Sequence, residues 1–326
     1  MLAAWYEQNG AARDVLRVGE QPEPLPGKGE VRVRLRASGL NPSDVKARGG
    51  GRPVIPPRVI PNSDGAGTID RVGAGVSRRR IGQRVWVYNG QWQRASGTSA
   101  QYIVLPAAQV VPLARKLTFQ QGACLGIPVM TAHRCLFADG PIRNRNVLVT
   151  GGAGVVGHYA VQLARWAGAR VIATASSAEK AAHARNAGAH AVINYTNEDV
   201  RARINELTRN QGIDRVVDVE FGANLPVYLK ALRPDAVVAT YASMKVPAPS
   251  FPFYELMRLN FTLRMVFVYT MSASAKARAL ADIKRWIESG RPRFAIAAHM
   301  PLSEIVAAHE LVESGRKVGH VIMDIP

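Results

Sequence analysis

Val147-Leu148-Val149-Thr150-Gly151-Gly152-Ala153-Gly154-Val155-Val156-Gly157 is the stretch on which the fold of this chain turns. It opens as a short apolar run of the kind that fills a fully buried strand. Gly152, Gly154 and Gly157 then fall at G-x-G-x-x-G spacing. Beyond them, Val156, Ala160, Leu163, Ala164 and Ala167 recur at helical spacing and make one apolar stripe fit to lie on a sheet. Strand, glycine turn and helix in that order bring backbone close to a pyrophosphate and aim the helix's free N–H groups at it. The same glycines could merely join a strand to a helix, but the context is the one a dinucleotide fingerprint requires.

Outward from this stretch the pattern repeats. Apolar runs at 171–175, 191–194, 215–219, 237–241 and 261–267 alternate with helical segments, and Gly168 supplies a helix stop. Short, near-continuous apolar strands alternating with helices imply a parallel sheet covered on both faces. Upstream of residue 123 the character differs. Val31-Arg32-Val33-Arg34-Leu35-Arg36-Ala37 alternates with the period of a half-buried strand, and 84–88 and 102–105 read similarly. Pro22 to Gly27, Asn41-Pro42, Pro56-Pro57 and Gly73-Ala74-Gly75 punctuate them. A helix pattern at 272–288 leads to Gly290-Arg291-Pro292, and a strand-like Val321-Ile322-Met323 closes the chain. At 326 residues the chain exceeds what one core usually supports. The expected fold is α/β in two domains, a β-rich one over 1–123 and 270–326 and a doubly wound parallel-sheet domain over 124–269.

The second strand of the sheet selects the cofactor. An NAD site usually places an acid about 20 residues after the glycine loop, on the ribose hydroxyl. Here the strand ends Ala173-Thr174-Ala175-Ser176-Ser177, and Glu179 follows only in the next helix, beside Lys180. Hydroxyls plus an ammonium suit an added phosphate, so the expected cofactor is NADPH. Lys180 could also be an ordinary solvated helix residue.

Bulk properties exclude other classes. Hydrophobic residues make up 47% and charged ones 20%, which suits a globular protein. No run nears the roughly 18 apolar residues of a membrane span, and the opening Met1-Leu2-Ala3-Ala4-Trp5 does not read as a signal peptide. A cytoplasmic protein is expected. Cys124 and Cys135 are too few for a disulfide framework and read as small buried hydrophobes. The net charge of +18 allows a nucleic-acid partner. It does not favour one, because the arginines are scattered and no aromatic residues interleave with them as a stacking platform would need.

With these residues in place, the chain resembles the medium-chain dehydrogenase/reductase superfamily, and within it the zinc-independent quinone oxidoreductase branch that includes ζ-crystallin. Asn41-Pro42-Ser43-Asp44 resembles the branch's Asn-Pro-x-Asp loop. Gly122-Ala123-Cys124-Leu125-Gly126-Ile127-Pro128 with Thr131-Ala132, and Gly188-Ala189 with Val192-Ile193-Asn194-Tyr195, resemble two further signatures. The resemblance covers essentially the whole chain. It implies a GroES-like β-domain, completed by the C-terminal segment, packed against a Rossmann domain with the nicotinamide in the cleft. It places Ser176, Lys180 and Tyr195 at the adenosine phosphate end. Thr131, Gly154, Val155 and Val156 would line the pyrophosphate and nicotinamide region, with Asn41 near the reacting ring. Tyr241, Ser243, Phe267 and Val268 would meet the nicotinamide half.

Zinc enzymes of the superfamily use an early Cys, a Gly-His-Glu loop and four clustered Cys. The corresponding Ser38-Gly39-Leu40-Asn41 and Asn62-Ser63-Asp64-Gly65 offer neither Cys nor His. The seven histidines are scattered, each reading as a surface or satisfied structural residue. One departure is Lys46, where the branch often has an aromatic residue; it would either offer charge or point to solvent.

The expected reaction is therefore hydride transfer from NADPH to a quinone or related enone, without a metal. Asn41 would orient the substrate oxygen or the nicotinamide, or else serve only the loop, and Asp44 reads as a cap rather than a general acid. An acyl-thioester or other enone reductase is the nearest alternative, and an RNA-binding or structural crystallin-like protein is one of a different class. Phe261-Thr262-Leu263-Arg264-Met265-Val266-Phe267-Val268-Tyr269 reads as an apolar edge strand, expected to pair with its twin in a homodimer.

Overall fold

The computed structural model describes residues 1–290 and 292–326, so Arg291 of the Gly290-Arg291-Pro292 sequence lies outside the described residues. The chain forms two compact units, Met1–Ile127 with Phe294–Pro326, and Pro128–Arg293. No helix among the described residues is long and apolar enough to cross a membrane.

In the first unit, β1 (Leu2–Trp5) pairs with β2 (Arg17–Glu20). A larger sheet holds β3 (Glu30–Leu40), β4 (Asp64–Val72), β5 (Arg84–Val87), β6 (Tyr102–Pro106) and β7 (Val110–Pro112). The alternation in β3 decides its faces. Val31, Val33 and Leu35 are fully buried, while Arg34 and Arg36 face solvent. Arg32 breaks the pattern and is buried, because its guanidinium pairs with Asp70 and Glu23 and lies 4.4 Å from the Tyr102 ring centroid. After β3 the chain turns through Asn41 into α1 (Pro42–Lys46), with Pro42 at the first helical position, where its missing N–H costs nothing.

The second unit opens with α2 (Ile127–Phe137) and carries β8 (Asn146–Val149), β9 (Arg170–Ala175), β10 (Ala191–Asn194), β11 (Ile213–Asp218), β12 (Leu232–Thr240) and β13 (Thr262–Met265). Its longer helices after β8 are α3 (Val155–Trp166), α4 (Ala178–Asn186), α5 (Val200–Thr208), α6 (Phe221–Tyr228) and α7 (Ala273–Ser289). The six strands are all parallel, in the order β10-β9-β8-β11-β12-β13. Chain direction across the sheet therefore reverses between β8 and β11, and a crevice opens at their carboxyl ends. The last segment returns to the first unit. There β14 (Ile296–Pro301) runs parallel to β15 (His320–Asp324), β15 pairs antiparallel with β3, and α8 (Ile305–Glu313) buries Ile305 and Ala308 in that core.

Two expectations need correction. The divisions fall at 127/128 and 293/294 rather than at 123 and 270. The reason is α7: Asp282 bonds His133 of α2 at 2.8 Å and Trp286 meets Tyr159 of α3 edge-on, so this helix belongs to the nucleotide-type unit. The edge strand is also shorter than 261–267. It ends at Met265, and Val268–Thr270 is a 3-10 turn.

Candidate active site

The glycine turn is built as its spacing demands. Gly151, at φ 62°, takes the left-handed conformation that lets β8 turn into α3. Its N–H donates to Thr174 Oγ1 at 3.0 Å, and that of Gly152 to Thr174 O at 2.9 Å, fastening the turn to β9. A Cβ on Gly152 would stand 2.7 Å from Ala173 Cβ, and one on Gly157 would stand 2.3 Å from Gly151 O. Those two glycines exist for close packing. Gly154, the N-cap of α3, would bring its Cβ to 3.3 Å from Gly151 O, a tight contact but the mildest of the three. Val155, Val156 and Gly157 form the first turn of α3, where helix N–H groups are free for an anion.

Asp218, fully buried at the end of β11, ties the strand ends together. Its Oδ1 accepts from Thr150 Oγ1 (2.7 Å), Asn224 Nδ2 (2.8 Å) and Glu220 N (3.0 Å), and its Oδ2 accepts from Tyr228 OH at 2.7 Å. Thr150 Oγ1 in turn accepts from Val219 N. Beside this hub lies a cavity of about 580 Å³ lined by Thr150, Gly151, Thr174, Tyr195, Val219 and Asn224, among others. Glu220, also on its wall, accepts from Met244 N and Lys245 N and so anchors the loop after β12. Sequence reading missed Thr150, Gly151 and this Asp218 network. The available signal was Asp218 interrupting the valines Val216-Val217 and Val219 at the end of a strand pattern.

The predicted residues after β8 sit at the carboxyl edge of this sheet. Ser176 and Lys180 are brought together: Lys180 Nζ donates to Ser176 Oγ at 3.2 Å. Ser177 caps α4 by accepting from Lys180 N, which fixes the lysine's start point. Tyr195 follows β10, half exposed, on the cavity wall. Tyr241 and Ser243 follow β12, with Ser243 Oγ accepting from Gly222 N. Phe267 is exposed just past β13, Val268 is buried, and Thr131 is buried in α2. Ser176, Lys180, Thr131, Tyr241, Ser243, Phe267 and Val268 do not line the cavity itself.

In the first unit Asn41 is held from two sides. Its backbone N–H donates to Asp44 Oδ2 at 2.9 Å, and its Nδ2 donates to Asp64 Oδ2 at 2.7 Å. Asp64 also accepts from Ile127 N. Burial, reinforced by the Asp44 charge, pushes the Asp64 carboxyl well above the carboxylate range. Burial pushes Asp44 up to about 6, against its hydrogen bonds from Asn41, and leaves its Oδ1 without a partner. Burial, with Asp44 second, raises the Tyr6 phenol to about 12. Asp44 is thus the cap that was expected. Lys46 points to solvent, while Arg48 is buried against Gly10 O, Glu313 and His309. The expectation of satisfied histidines fails at three positions: His158 Nδ1, His183 Nε2 and His309 Nε2 are buried without partners.

At the positions where zinc relatives carry ligands, several polar side chains bond one another, while Asn62 Oδ1 is buried without a hydrogen-bond partner. Asn62 Nδ2 donates to Ser38 Oγ, Ser38 bonds Thr98 Oγ1, and Thr98 donates to Asp64 O. Among the described residues no group of three or more His, Cys, Asp or Glu could hold a metal ion. Neither thiolate nor imidazole is offered, so these residues do not fit a catalytic zinc.

Residues 27–115 match the alcohol dehydrogenase GroES-like domain, and residues 155–285 match the family described as zinc-binding dehydrogenase. A quinone oxidoreductase of Rattus norvegicus is 30% identical over 308 residues, 92% of this chain and 90% of its own. The chain belongs to the medium-chain dehydrogenase/reductase superfamily, in its quinone oxidoreductase branch. It is accordingly an oxidoreductase with a GroES-like and a Rossmann domain. A mycobacterial protein solved in complex with NADPH superposes with a TM-score of 0.86 at 28% identity, covering 99% of both chains. An NAD-dependent alcohol dehydrogenase superposes at 0.88 with 30% identity over the full length of both. Membership of the superfamily therefore leaves the choice between the two nicotinamides to the residues at the end of β9.

Proposed function

We propose that this oxidoreductase uses NADPH, without zinc, to reduce a quinone or a related enone. The observation that carries the reading is the Lys180 Nζ to Ser176 Oγ pair at the carboxyl end of β9, where an NAD site would hold an acid. NADPH, when bound, supplies a hydride from C4 of its nicotinamide. Lys180 and Ser176 hold its adenosine phosphate, with Tyr195 alongside. The side-chain-free backbone at Gly154 and the first turn of α3, Val155, Val156 and Gly157, hold the pyrophosphate. Thr131, Tyr241, Ser243, Phe267 and Val268 hold the nicotinamide half.

Asn41 orients the substrate oxygen or the nicotinamide, and Asp64 sets which way its carboxamide turns by taking an Nδ2 hydrogen. Solvent delivers the proton. A quinone tolerates this because its reduced anion is a stabilised phenolate, so positioning supplies much of the acceleration. The enzyme works in the cytosol as a homodimer. Supporting the dimer, β13 is the sheet's edge strand, with Met265 76% and Phe267 53% exposed beside it.

Incubation with NADPH and a panel of quinones and enones, followed at the reduced-nicotinamide absorbance, tests the reaction. NADPH oxidation dependent on a quinone or an enone is expected. Turnover with neither, or oxidation only when zinc is added, overturns it.

A further inference from the structure

At the opposite, amino end of the parallel sheet lies a second cavity, of about 430 Å³, lined by Asn144, Asn146, Arg165, Arg170, His190 and Gln211 together with Gly168 and Ala169. Arg143 joins this wall, with its Cγ 3.3 Å from where a Cβ on Gly168 would stand. Charge here is one-sided. Neighbouring arginines are neutralised: Arg145 and Arg233 share Asp214, and Arg215 and Arg264 share Asp139. Asp214 is further occupied by Asn146 N. Arg143, Arg165 and Arg170 have no ion pair among the described residues, and no carboxylate lines the cavity.

The imidazole of His190 adds a second, independent observation. Its Nδ1 accepts from Val171 N at 2.8 Å, so the hydrogen of the neutral ring must sit on Nε2. That Nε2 lies against Arg165 Nη1, which can only donate. Two donors converge with no acceptor between them. The two guanidinium charges, after burial, also hold the His190 pKa below its ordinary value.

We infer that this cavity binds a compact phosphate-bearing anion, its oxygens bridging His190 Nε2–H and the guanidiniums of Arg165 and Arg170. A phosphate presents several acceptors at once, which matches the planar fork of arginine better than a halide would. The volume suits a small phosphorylated molecule or free phosphate. The wall has no Phe, Tyr or Trp and its one ring, His190, is engaged with Val171 N and Arg165, so a stack of bases finds no platform and a nucleic-acid strand is not the occupant argued for. The site lies at the opposite end of the strands from Ser176 and Lys180 and does not rest on the cofactor reading.

Inorganic phosphate and tripolyphosphate should be titrated calorimetrically into wild type, Lys180→Gln, Arg165→Gln and Arg170→Gln at constant ionic strength. The His190 ring resonances should be followed in parallel. One anion per chain is expected to survive Lys180→Gln and to weaken at least about tenfold in either arginine variant, the loss of one charge-assisted hydrogen bond. The His190 pKa should rise on binding, because a dianion offsets the two guanidinium charges. If phosphate alone binds, the source is a free ion. If tripolyphosphate binds far more tightly, it is a polyphosphorylated molecule. Equal binding in wild type and Arg165→Gln, an unmoved His190, or equal competition by chloride overturns the inference. So does a single-stranded oligonucleotide that outcompetes tripolyphosphate in an Arg165-dependent way.

Discussion

Lys180 and Ser176 show how a cofactor preference can rest on a pair one helical turn apart. Because Ser177 caps α4 through Lys180 N, the ammonium leaves the helix at a fixed point and reaches the Ser176 hydroxyl. Lys180→Ala is expected to weaken NADPH binding about tenfold to a hundredfold, the worth of a charge-assisted hydrogen bond. NADH binding should change little; equal losses for the two, measured by calorimetry, would refute the assignment. Asp44 makes stability depend on pH. Its carboxyl is raised to about 6 in the fold, so between about pH 4 and 6 the native state holds a proton that the unfolded chain has lost. Stability contributed by this group therefore falls as pH rises through that window, by on the order of 1–3 kcal/mol. Asp44→Asn removes the dependence, and its Tm relative to wild type should climb from pH 4 to 7. A flat difference would contradict the buried charge. The lysine pair was legible in the sequence because it is local. The Asn41–Asp64 bond and the Asp218 hub were not, since their partners meet only when separate strands come together.

Among the elements, the β8–α3 turn was the most legible, because tight turn, close packing and free N–H groups each impose a residue type. Its glycines nevertheless do different work, which a pair of variants separates. Gly157→Ala drives a Cβ into the Gly151 carbonyl and should cost about 1–3 kcal/mol of stability, seen as a lowered Tm. Gly154→Ala meets the same carbonyl at 3.3 Å and should lower Tm less than Gly157→Ala while weakening cofactor binding, since its Cβ stands where the pyrophosphate is proposed to approach. The reverse ranking would mean that Gly154 serves packing. β13 was read too long because apolar character continues through Phe267 and Val268, whereas the ladder to β12 runs only from Thr262 to Met265. Tertiary pairing decides strand length, and hydropathy cannot see it. Met265→Glu places like charges face to face across a two-fold pairing of this edge. Light scattering at micromolar concentration should then show a dimeric wild type and a largely monomeric variant; a monomeric wild type would remove the proposed interface.

For the whole molecule, the change of pattern near residue 123 announced two units, and the C-terminal strand was correctly returned to the first. The limit at 270 failed because α7 belongs by packing to α2 and α3 rather than to the chain that follows it. All the predicted nucleotide-contacting residues after β8 gather at the carboxyl edge of one parallel sheet, while an unpaired cationic cavity occupies the other edge. The claim on which cofactor and reaction both depend is that the pocket beyond β9 selects the adenosine phosphate. Titration calorimetry of the intact protein with NADPH and NADH under the same conditions measures this directly. NADPH should bind at least about tenfold more tightly, a difference that Lys180→Ala abolishes. Equal affinity for the two nicotinamides, or a preference for NADH, would contradict it.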